Sequence, residues 1–200
     1  MITQKAKTPT LLIWNGVLEK CEKKLARWKT QYLSFEGRLT LINSVLDSLP
    51  TYMMTLFPIP ARVIKRLDSI GRKFLWHGNK ERKGFNLVKW KVVITDKKVG
   101  GVGIKNLKVQ SKALRMKWLW KFANENQMLW KRVISAKYEG EDMWMTKEVT
   151  TPNGVSLWRS IRDMWDEVKS NARIKVVDGS KTRFWKDEWH EKGKPGSSFP

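Results

Sequence analysis

The chain has 200 residues, enough for one domain or two small ones, and 41% of them are hydrophobic, so a core can form. Lysine and arginine number 40 against 19 aspartates and glutamates, which gives a formal net charge of +21. This surplus favours a polyanionic partner, most simply nucleic acid, over an ordinary solvated basic surface. The single cysteine excludes an intrachain disulfide, and with two histidines it excludes a zinc site of ordinary spacing.

No segment has the pattern of a membrane span or of a secretory signal. The longest uncharged run, residues 48–61, contains three prolines and is shorter than the roughly 20 residues that a span needs. We therefore expect an intracellular chain, nuclear or cytoplasmic and not secreted, with no membrane partner and no cofactor.

Helical periodicity predicts the organisation of the first 76 residues. Residues 1–10 are polar and aperiodic, and residues 1–13 are predicted to form a disordered leader. Helices are expected from Gly16 to about Trp28, after Ser34, whose hydroxyl suits an N-cap, and from Ala61 to Trp76. The inward stripes expected for the second and third of these helices are Phe35, Leu39, Ile42, Leu46 and Leu49, and Val63, Leu67, Ile70 and Phe74.

Glycines mark a special backbone conformation in the middle of the chain. Gly100, Gly101 and Gly103 are three glycines in four residues, which predicts a tight turn or a close backbone contact. Gly37, in the first turn of the second helix, is expected to allow close approach of another backbone. A dinucleotide fingerprint is disfavoured, because position 106 is Asn and no strand–turn–helix context precedes it.

The helix that follows this turn carries a basic stripe. Lys105, Lys108, Lys112 and Arg115 are spaced i, i+3, i+7 and i+10, which places them on one face without interleaved acids. The pattern fits a phosphate-binding surface or an ordinary solvated helix face. The remaining surface has two apolar faces, which predicts packing on two sides: Leu107, Leu114, Trp118 and Phe122, and Val109, Ala113, Met116 and Trp120.

The last 60 residues are predicted to contain a linker, a helix and a hairpin. Residues 141–156 are the expected linker, and an amphipathic helix begins at Leu157. Strands at 174–177 and 182–185 flank Asp178-Gly179, a preferred hairpin turn pair. Residues 190–200 are expected to be a disordered tail.

The sequence contains no recognisable set of catalytic residues. The acidic pairs Glu141-Asp142 and Asp187-Glu188 lie in segments interpreted as exposed loops, where they cannot form a two-metal site. The tryptophans could stack on unpaired bases, but most lie on apolar stripes, where core packing is favoured. The stripe residues are Trp28, Trp118, Trp120, Trp158 and Trp165, whereas Trp90, Trp185 and Trp189 are less constrained.

Several motifs follow one another in an order that matches a known family. They are Ala26-Arg27-Trp28-Lys29, residues 33–46 around Phe35-Glu36-Gly37-Arg38-Leu39, Leu49-Pro50-Thr51-Tyr52, Arg72-Lys73-Phe74-Leu75-Trp76-His77-Gly78, Gly100-Gly101-Val102-Gly103-Ile104-Lys105-Asn106-Leu107, Lys117-Trp118-Leu119-Trp120, and Arg183-Phe184-Trp185-Lys186-Asp187-Glu188-Trp189. Together they resemble the region beyond the polymerase palm in plant LINE-type non-LTR retrotransposon reverse transcriptases. The resemblance covers nearly the whole chain, from Trp14 to Trp189.

This resemblance implies a mainly α-helical fragment with a thumb-like and connection-like bundle and a small C-terminal β-hairpin. The implied modules are a thumb at 14–76, a wrist-like connection at 77–140, and a helix with the hairpin at 157–189. The family's catalytic aspartates lie in the palm, and this chain contains no Tyr/Phe-x-Asp-Asp motif. The resemblance thus implies a chain that is not itself an enzyme, from a parent RNA-directed DNA polymerase.

The implied partner is the backbone of RNA, DNA or an RNA–DNA hybrid, which the family's thumb grips. The residues expected to bind it are Arg38, Lys105, Lys108, Lys112 and Arg115, with Gly37, Gly100, Gly101 and Gly103 in backbone roles. Self-association is also expected, through surface that the palm covers in the parent enzyme. The alternative is a structural or interaction module, or a decayed remnant with no specific activity.

Overall fold

Helices form most of the structure, a computed structural model that describes residues 9–28, 32–77, 86–125, 127–138, 140–142, 144–148, 157–176, 178–179, 182–187, 189, 193 and 195–198. This confirms the predicted mainly α-helical class. The helices are α1 (Pro9–Ala26), α2 (Phe35–Ser48), α3 (Thr51–Leu56), α4 (Ala61–Trp76), α5 (Trp90–Val93), α6 (Leu107–Asn124), α7 (Leu129–Tyr138), α8 (Leu157–Arg162), α9 (Trp165–Asn171) and α10 (Pro195–Ser198). A 3-10 turn spans Lys97–Val99.

The chain divides into two compact units, residues 1–115 and 116–200. We call them unit 1 and unit 2. The boundary between the units falls within α6. The module boundaries predicted at 76/77 and 140/141 stay predictions. The second half of the predicted linker, residues 149–156, lies outside the described residues.

Helices α2 and α4 form where the sequence predicts them. Ser34 caps α2 by accepting a hydrogen bond from the amide of Gly37 at 3.2 Å. Helix α4 begins directly after Pro60, whose φ of −65° suits a helix entry. Its inward side buries Val63, Leu67 and Phe74.

The core of unit 1 is a three-helix arrangement in which α4 packs against both α1 and α2. Leu67 of α4 and Ile42 of α2 have no exposed surface, and each such side chain stabilises the fold by about 2 kcal/mol. Trp14 of α1 is also fully buried. The predicted disordered leader at 1–13 is therefore wrong from Pro9 onward, because the helix that delivers Trp14 to the core extends back to Pro9.

Unit 2 has an aromatic core built from α6, α7 and α8. The rings of Phe122 and Trp158 lie 5.1 Å apart, and those of Trp118 and Trp130 lie 5.2 Å apart. The ammonium of Lys131 lies 4.8 Å from the centre of the Phe122 ring, a cation–π contact that suits a lysine with only 8% exposure.

A short antiparallel strand pair joins this core. Strands β1 (Gly140–Asp142) and β2 (Met145–Thr146) pair with an irregular register within the predicted linker. The buried hydroxyl of Thr146 accepts a hydrogen bond of 2.8 Å from the indole Nε1 of Trp158. This bond connects β2 to α8.

Replacing Thr146 by Val is expected to destabilise the chain by about 1–3 kcal/mol, because the buried Trp158 N–H loses its acceptor without gaining water. Urea unfolding followed by circular dichroism measures the loss. Thr146→Ser keeps the hydroxyl and is the control, which we expect to stay closer to the parent chain. Equal losses for Val and Ser would show that the hydrogen bond contributes nothing.

The predicted C-terminal β-hairpin is wrong. Residues 174–176 and 182–185 form no strand; the latter begin a turn instead. The amide of Asp187 donates to the carbonyl of Arg183 at 3.0 Å, and the Asp187 carboxylate accepts from the Arg183 amide at 2.8 Å. These local bonds use the backbone groups that a strand partner would need, and isolated two-stranded hairpins are only marginally stable.

The predicted disordered tail at 190–200 is also wrong for residues 195–198, which form α10. Pro195 is buried, and the amide of Gly196 donates to the carbonyl of Trp185 at 3.3 Å. Residues 195–198 therefore contact the turn that replaces the hairpin.

Candidate nucleic-acid interface

The glycine segment is a tight backbone turn that connects α5 to α6. Gly100 and Gly103 have φ values of +82° and +84°, which L side chains rarely adopt. A Cβ on Gly101 would overlap the carbonyl of Thr95. The amide of Gly103 donates to that same carbonyl at 3.1 Å, and Ile104, 3% exposed, anchors the end of the turn in the core.

Helix α6 begins immediately after this turn, and Asn106 caps it. The side-chain Oδ1 of Asn106 accepts hydrogen bonds from the amides of Lys108 at 3.1 Å and Val109 at 3.4 Å. Leu107 is buried beside the cap. Lys105 therefore lies just outside the helix rather than on its first turn, and the remaining three predicted cations lie within it.

The first two cations of the stripe face solvent. Lys105 is 59% exposed, and its Nζ forms an ion pair of 2.8 Å with Asp47 of α2. This acid, distant in sequence, partly neutralises the stripe, and no local pattern could have revealed it. Lys108 is exposed one turn further along α6.

The other two cations of the stripe are half-buried. The Nε of Arg115 donates to the carbonyl of Ser111 at 3.4 Å within α6. Burial lowers the pKa of Arg115, the direction expected when a cation loses water, and an arginine keeps its charge at neutral pH. Lys112 is also half-buried. The solvent exposure of the stripe thus decreases along the chain, from exposed at Lys105 to half-buried at Arg115.

Arg38 occupies a different position from the stripe. It lies on α2, half-buried, and its guanidinium donates to the carbonyl of Leu75 at 3.2 Å. That carbonyl belongs to the last turn of α4, whose carbonyls lack partners within the helix and attract cations. Arg38 therefore stabilises the end of a helix, a role that the sequence pattern did not indicate.

Gly37 does not allow the close backbone approach expected of it. The nearest atoms to a Cβ built there belong to the side chains of Leu33 and Ser34, at 3.5 Å and 3.6 Å, which are ordinary contacts. The expectation is wrong, because the surface beside this turn of α2 is covered by neighbouring side chains and not by another backbone. A glycine that does permit close packing is Gly71 of α4, where a Cβ would lie 3.1 Å from the Trp90 ring.

The second apolar face predicted for α6 is not covered. Val109 is 63% exposed and Trp120 is 58% exposed, whereas Leu107 and Phe122 on the first face are buried. The prediction of packing on two sides is therefore wrong. Helix α6 instead carries exposed apolar side chains beside its basic stripe.

The tryptophans divide differently from the sequence-based prediction. Trp158 is buried as expected, but Trp28 is 45% exposed although it lies on an apolar stripe. Trp90, which the pattern leaves less constrained, is 8% exposed and packs on Gly71. Periodicity shows which side chains share a face, but it does not show whether another element covers that face.

The described residues contain neither a metal-ligand cluster nor a membrane-spanning helix. Within those residues, no three His, Cys, Asp or Glu side chains are grouped so that they could hold a metal ion. None of the described helices combines the length and the apolar character required to cross a bilayer.

The chain is similar to two proteins of Arabidopsis thaliana. One is provisionally named a ribonuclease H protein; it is 36% identical over 184 residues, which are 90% of this chain but 29% of that protein. The other is an uncharacterised mitochondrial protein, 25% identical over 143 residues, which are 71% of this chain and 92% of that protein. The chain thus spans less than a third of the length of the first relative.

Protein-family models and solved structures provide no further relative. No protein-family model matches the chain. No solved structure matches it.

Proposed function

We propose that this chain is a non-catalytic segment of a retrotransposon reverse transcriptase that binds the backbone of RNA, DNA or an RNA–DNA hybrid without reading sequence. The observation that carries the proposal is the basic stripe of α6, held in place by the glycine turn and the Asn106 cap. Cations on a rigid helix can contact phosphates, and such contacts position a protein without specifying bases. A net charge of +21 adds long-range attraction for a polyanion.

Two observations support the assignment to a retrotransposon reverse transcriptase. The ordered motifs resemble plant LINE-type reverse transcriptases, and one Arabidopsis relative, 36% identical over 90% of this chain, is provisionally named a ribonuclease H protein. The non-catalytic character rests on the lack of a Tyr/Phe-x-Asp-Asp motif in the 200 residues. A nucleic-acid partner further suggests a nuclear or cytoplasmic location, with no cofactor required.

The proposal predicts steep salt dependence of binding. If about six cations contact phosphates, the logarithm of the association constant should fall with the logarithm of salt concentration with a slope of roughly −4 to −5. Fluorescence anisotropy with a labelled RNA–DNA hybrid, titrated at several salt concentrations, measures this slope. A scrambled hybrid of equal length should bind equally well, and a slope near zero or a clear sequence preference would contradict the proposal.

The second candidate function is an interaction module with no nucleic-acid role. The exposed apolar side chains of α6 and α7 favour it, since Val109 is 63%, Leu129 72% and Val133 58% exposed. Surface of this kind promotes association. Sedimentation over a range of concentrations distinguishes the two: self-association without hybrid binding would favour the interaction module, and a hybrid-binding monomer would exclude it.

A further inference from the structure

The turn that replaces the predicted hairpin exposes a cluster of aromatic rings. We call Phe184, Trp185 and Trp189 the aromatic turn. The ring centre of Phe184 lies 5.0 Å from that of Trp185, edge to face, and 5.1 Å from that of Trp189. Phe184 is nevertheless 55% exposed and Trp185 58% exposed.

Hydrogen bonds within the turn hold these rings in place. The Asp187 carboxylate, 8% exposed, accepts from the Arg183 amide at 2.8 Å and from the Arg183 guanidinium at 3.1 Å. The indole Nε1 of Trp189 donates to the carbonyl of Phe184 at 2.8 Å. The amide of Lys186 donates to the Arg183 carbonyl at 3.2 Å. The rings are therefore arranged before any partner arrives.

The aromatic turn is not part of the core of unit 2. That core is formed by Phe122, Trp158 and their neighbours on α6 to α9. Large rings kept in water by a structured turn are unusual, because aromatic side chains normally contribute their area to a core or an interface. The exposed rings thus indicate a binding surface.

The charge around the rings indicates what binds there. Lys186 and Arg183 are exposed beside the rings, and Arg173 and Lys175 are exposed in the segment that precedes the turn. Among the described acids of this segment, Asp187 is buried and paired with Arg183, whereas Asp178 is exposed ahead of the turn, so the described cations outnumber the acids by four to two. An aromatic surface flanked by cations complements a strand that offers both flat bases and phosphates.

We propose that the aromatic turn binds unpaired bases of single-stranded RNA or DNA by stacking on Phe184 and Trp185. This surface lies in unit 2, takes bases rather than phosphates, and uses none of the residues of the basic stripe. The proposal rests on the proposed function only in sharing a nucleic-acid partner. A base within a duplex is already stacked, so the aromatic turn should not bind duplex.

The test compares a fluorescein-labelled oligo(U) and an RNA–DNA hybrid duplex, each of about 12 nucleotides, a length within the usual site sizes for single strands. Phe184→Leu and Trp185→Leu keep an apolar side chain while removing the ring. Each is expected to weaken oligo(U) binding by about 5- to 150-fold, the range found for one stacked base, and to leave hybrid binding unchanged. Trp185→Tyr restores a ring and should recover most of the affinity.

Trp120→Leu is the matched control, because Trp120 is also 58% exposed but has no ring contact in the described part of unit 2. It should not change oligo(U) binding. Fluorine NMR of protein labelled with 5-fluorotryptophan provides a second readout, in which the signal assigned by the Trp185 variant shifts when oligo(U) is added.

Each outcome decides the two proposals separately. If the chain binds the hybrid but not oligo(U), or if all variants bind oligo(U) equally well, base stacking on the aromatic turn is contradicted and phosphate binding by the basic stripe is still supported. If the parent chain binds oligo(U) but not the hybrid, and the leucine variants lose oligo(U) binding, base stacking on the aromatic turn is supported and hybrid binding by the basic stripe is contradicted. If the leucine variants instead abolish self-association, with oligo(U) binding unaffected, the turn is a protein interface and the proposal is wrong.

Discussion

Reversing the charge of Lys108, Lys112 and Arg115 together, each to Glu, is expected to weaken binding to an RNA–DNA hybrid by roughly 100-fold at moderate salt. Each phosphate contact that is lost removes about one unit from the slope of affinity against salt, so the slope should flatten by about three units. The introduced carboxylates add repulsion to this loss. Fluorescence anisotropy at several salt concentrations measures both the affinity and the slope.

Net charge alone could produce part of this effect, so the control must change charge equally elsewhere. Lys20 and Lys24 on α1 and Lys65 on α4 are exposed in the same unit. Their triple reversal alters the net charge by the same amount and should cost much less affinity, because these side chains lie on other helices. Equal losses for the two triple variants would show that overall charge, not the stripe of α6, drives binding.

The half-buried position of Arg115 requires a check on folding. Its guanidinium bonds the carbonyl of Ser111, so a glutamate there could disturb α6 itself. Circular dichroism and thermal unfolding of the triple variant reveal such damage. The double reversal of Lys108 and Lys112 avoids it, and is expected to show about two-thirds of the change in slope.

Replacing Gly101 by Ala is expected to destabilise the chain by about 2–4 kcal/mol. The new Cβ would overlap the backbone carbonyl of Thr95, which cannot move without breaking its hydrogen bond from Gly103. Overpacking costs about 1–3 kcal/mol and a lost backbone hydrogen bond about 0.5–1.5 kcal/mol. This is a large fraction of the stability of a small domain, and urea unfolding measures it.

Two other glycines provide graded controls for this prediction. Gly100→Ala meets no atom within 4 Å, but its φ of +82° costs an L residue about 1–2 kcal/mol. Gly37→Ala lies in α2 with ordinary contacts and should be neutral or stabilising, because alanine favours a helix over glycine by up to about 1 kcal/mol. A Gly101 variant as stable as the Gly37 variant would mean that the turn can relax without cost.

The turn also connects stability to the proposed function. It delivers Ile104 to the core and places the start of α6, with Lys105 beside Asp47. A Gly101→Ala chain that still folds should therefore bind the hybrid more weakly than the parent, since its cations lose their fixed position. The Gly37→Ala chain should bind as the parent does.

The amino-acid sequence determined the elements whose pattern is local. Helix α4 has the predicted bounds, because its apolar residues recur at helical spacing and Pro60 precedes it. The Ser34 cap of α2 is equally local, since a hydroxyl can reach an amide three residues ahead. Spacing likewise aligned three of the four stripe cations along α6, and the composition established a basic chain.

The tertiary structure decided which faces are covered and which local tendencies prevail. Periodicity could not show that Trp90 is buried against Gly71 while Trp120 remains exposed, because burial depends on segments distant in sequence. The Asp178-Gly179 pair favours a hairpin, yet the Arg183–Asp187 bonds and α10 stabilise a turn there instead. Asp47 and Leu75, distant in sequence from Lys105 and Arg38, gave those cations partners only because the folded chain brought them within bonding distance.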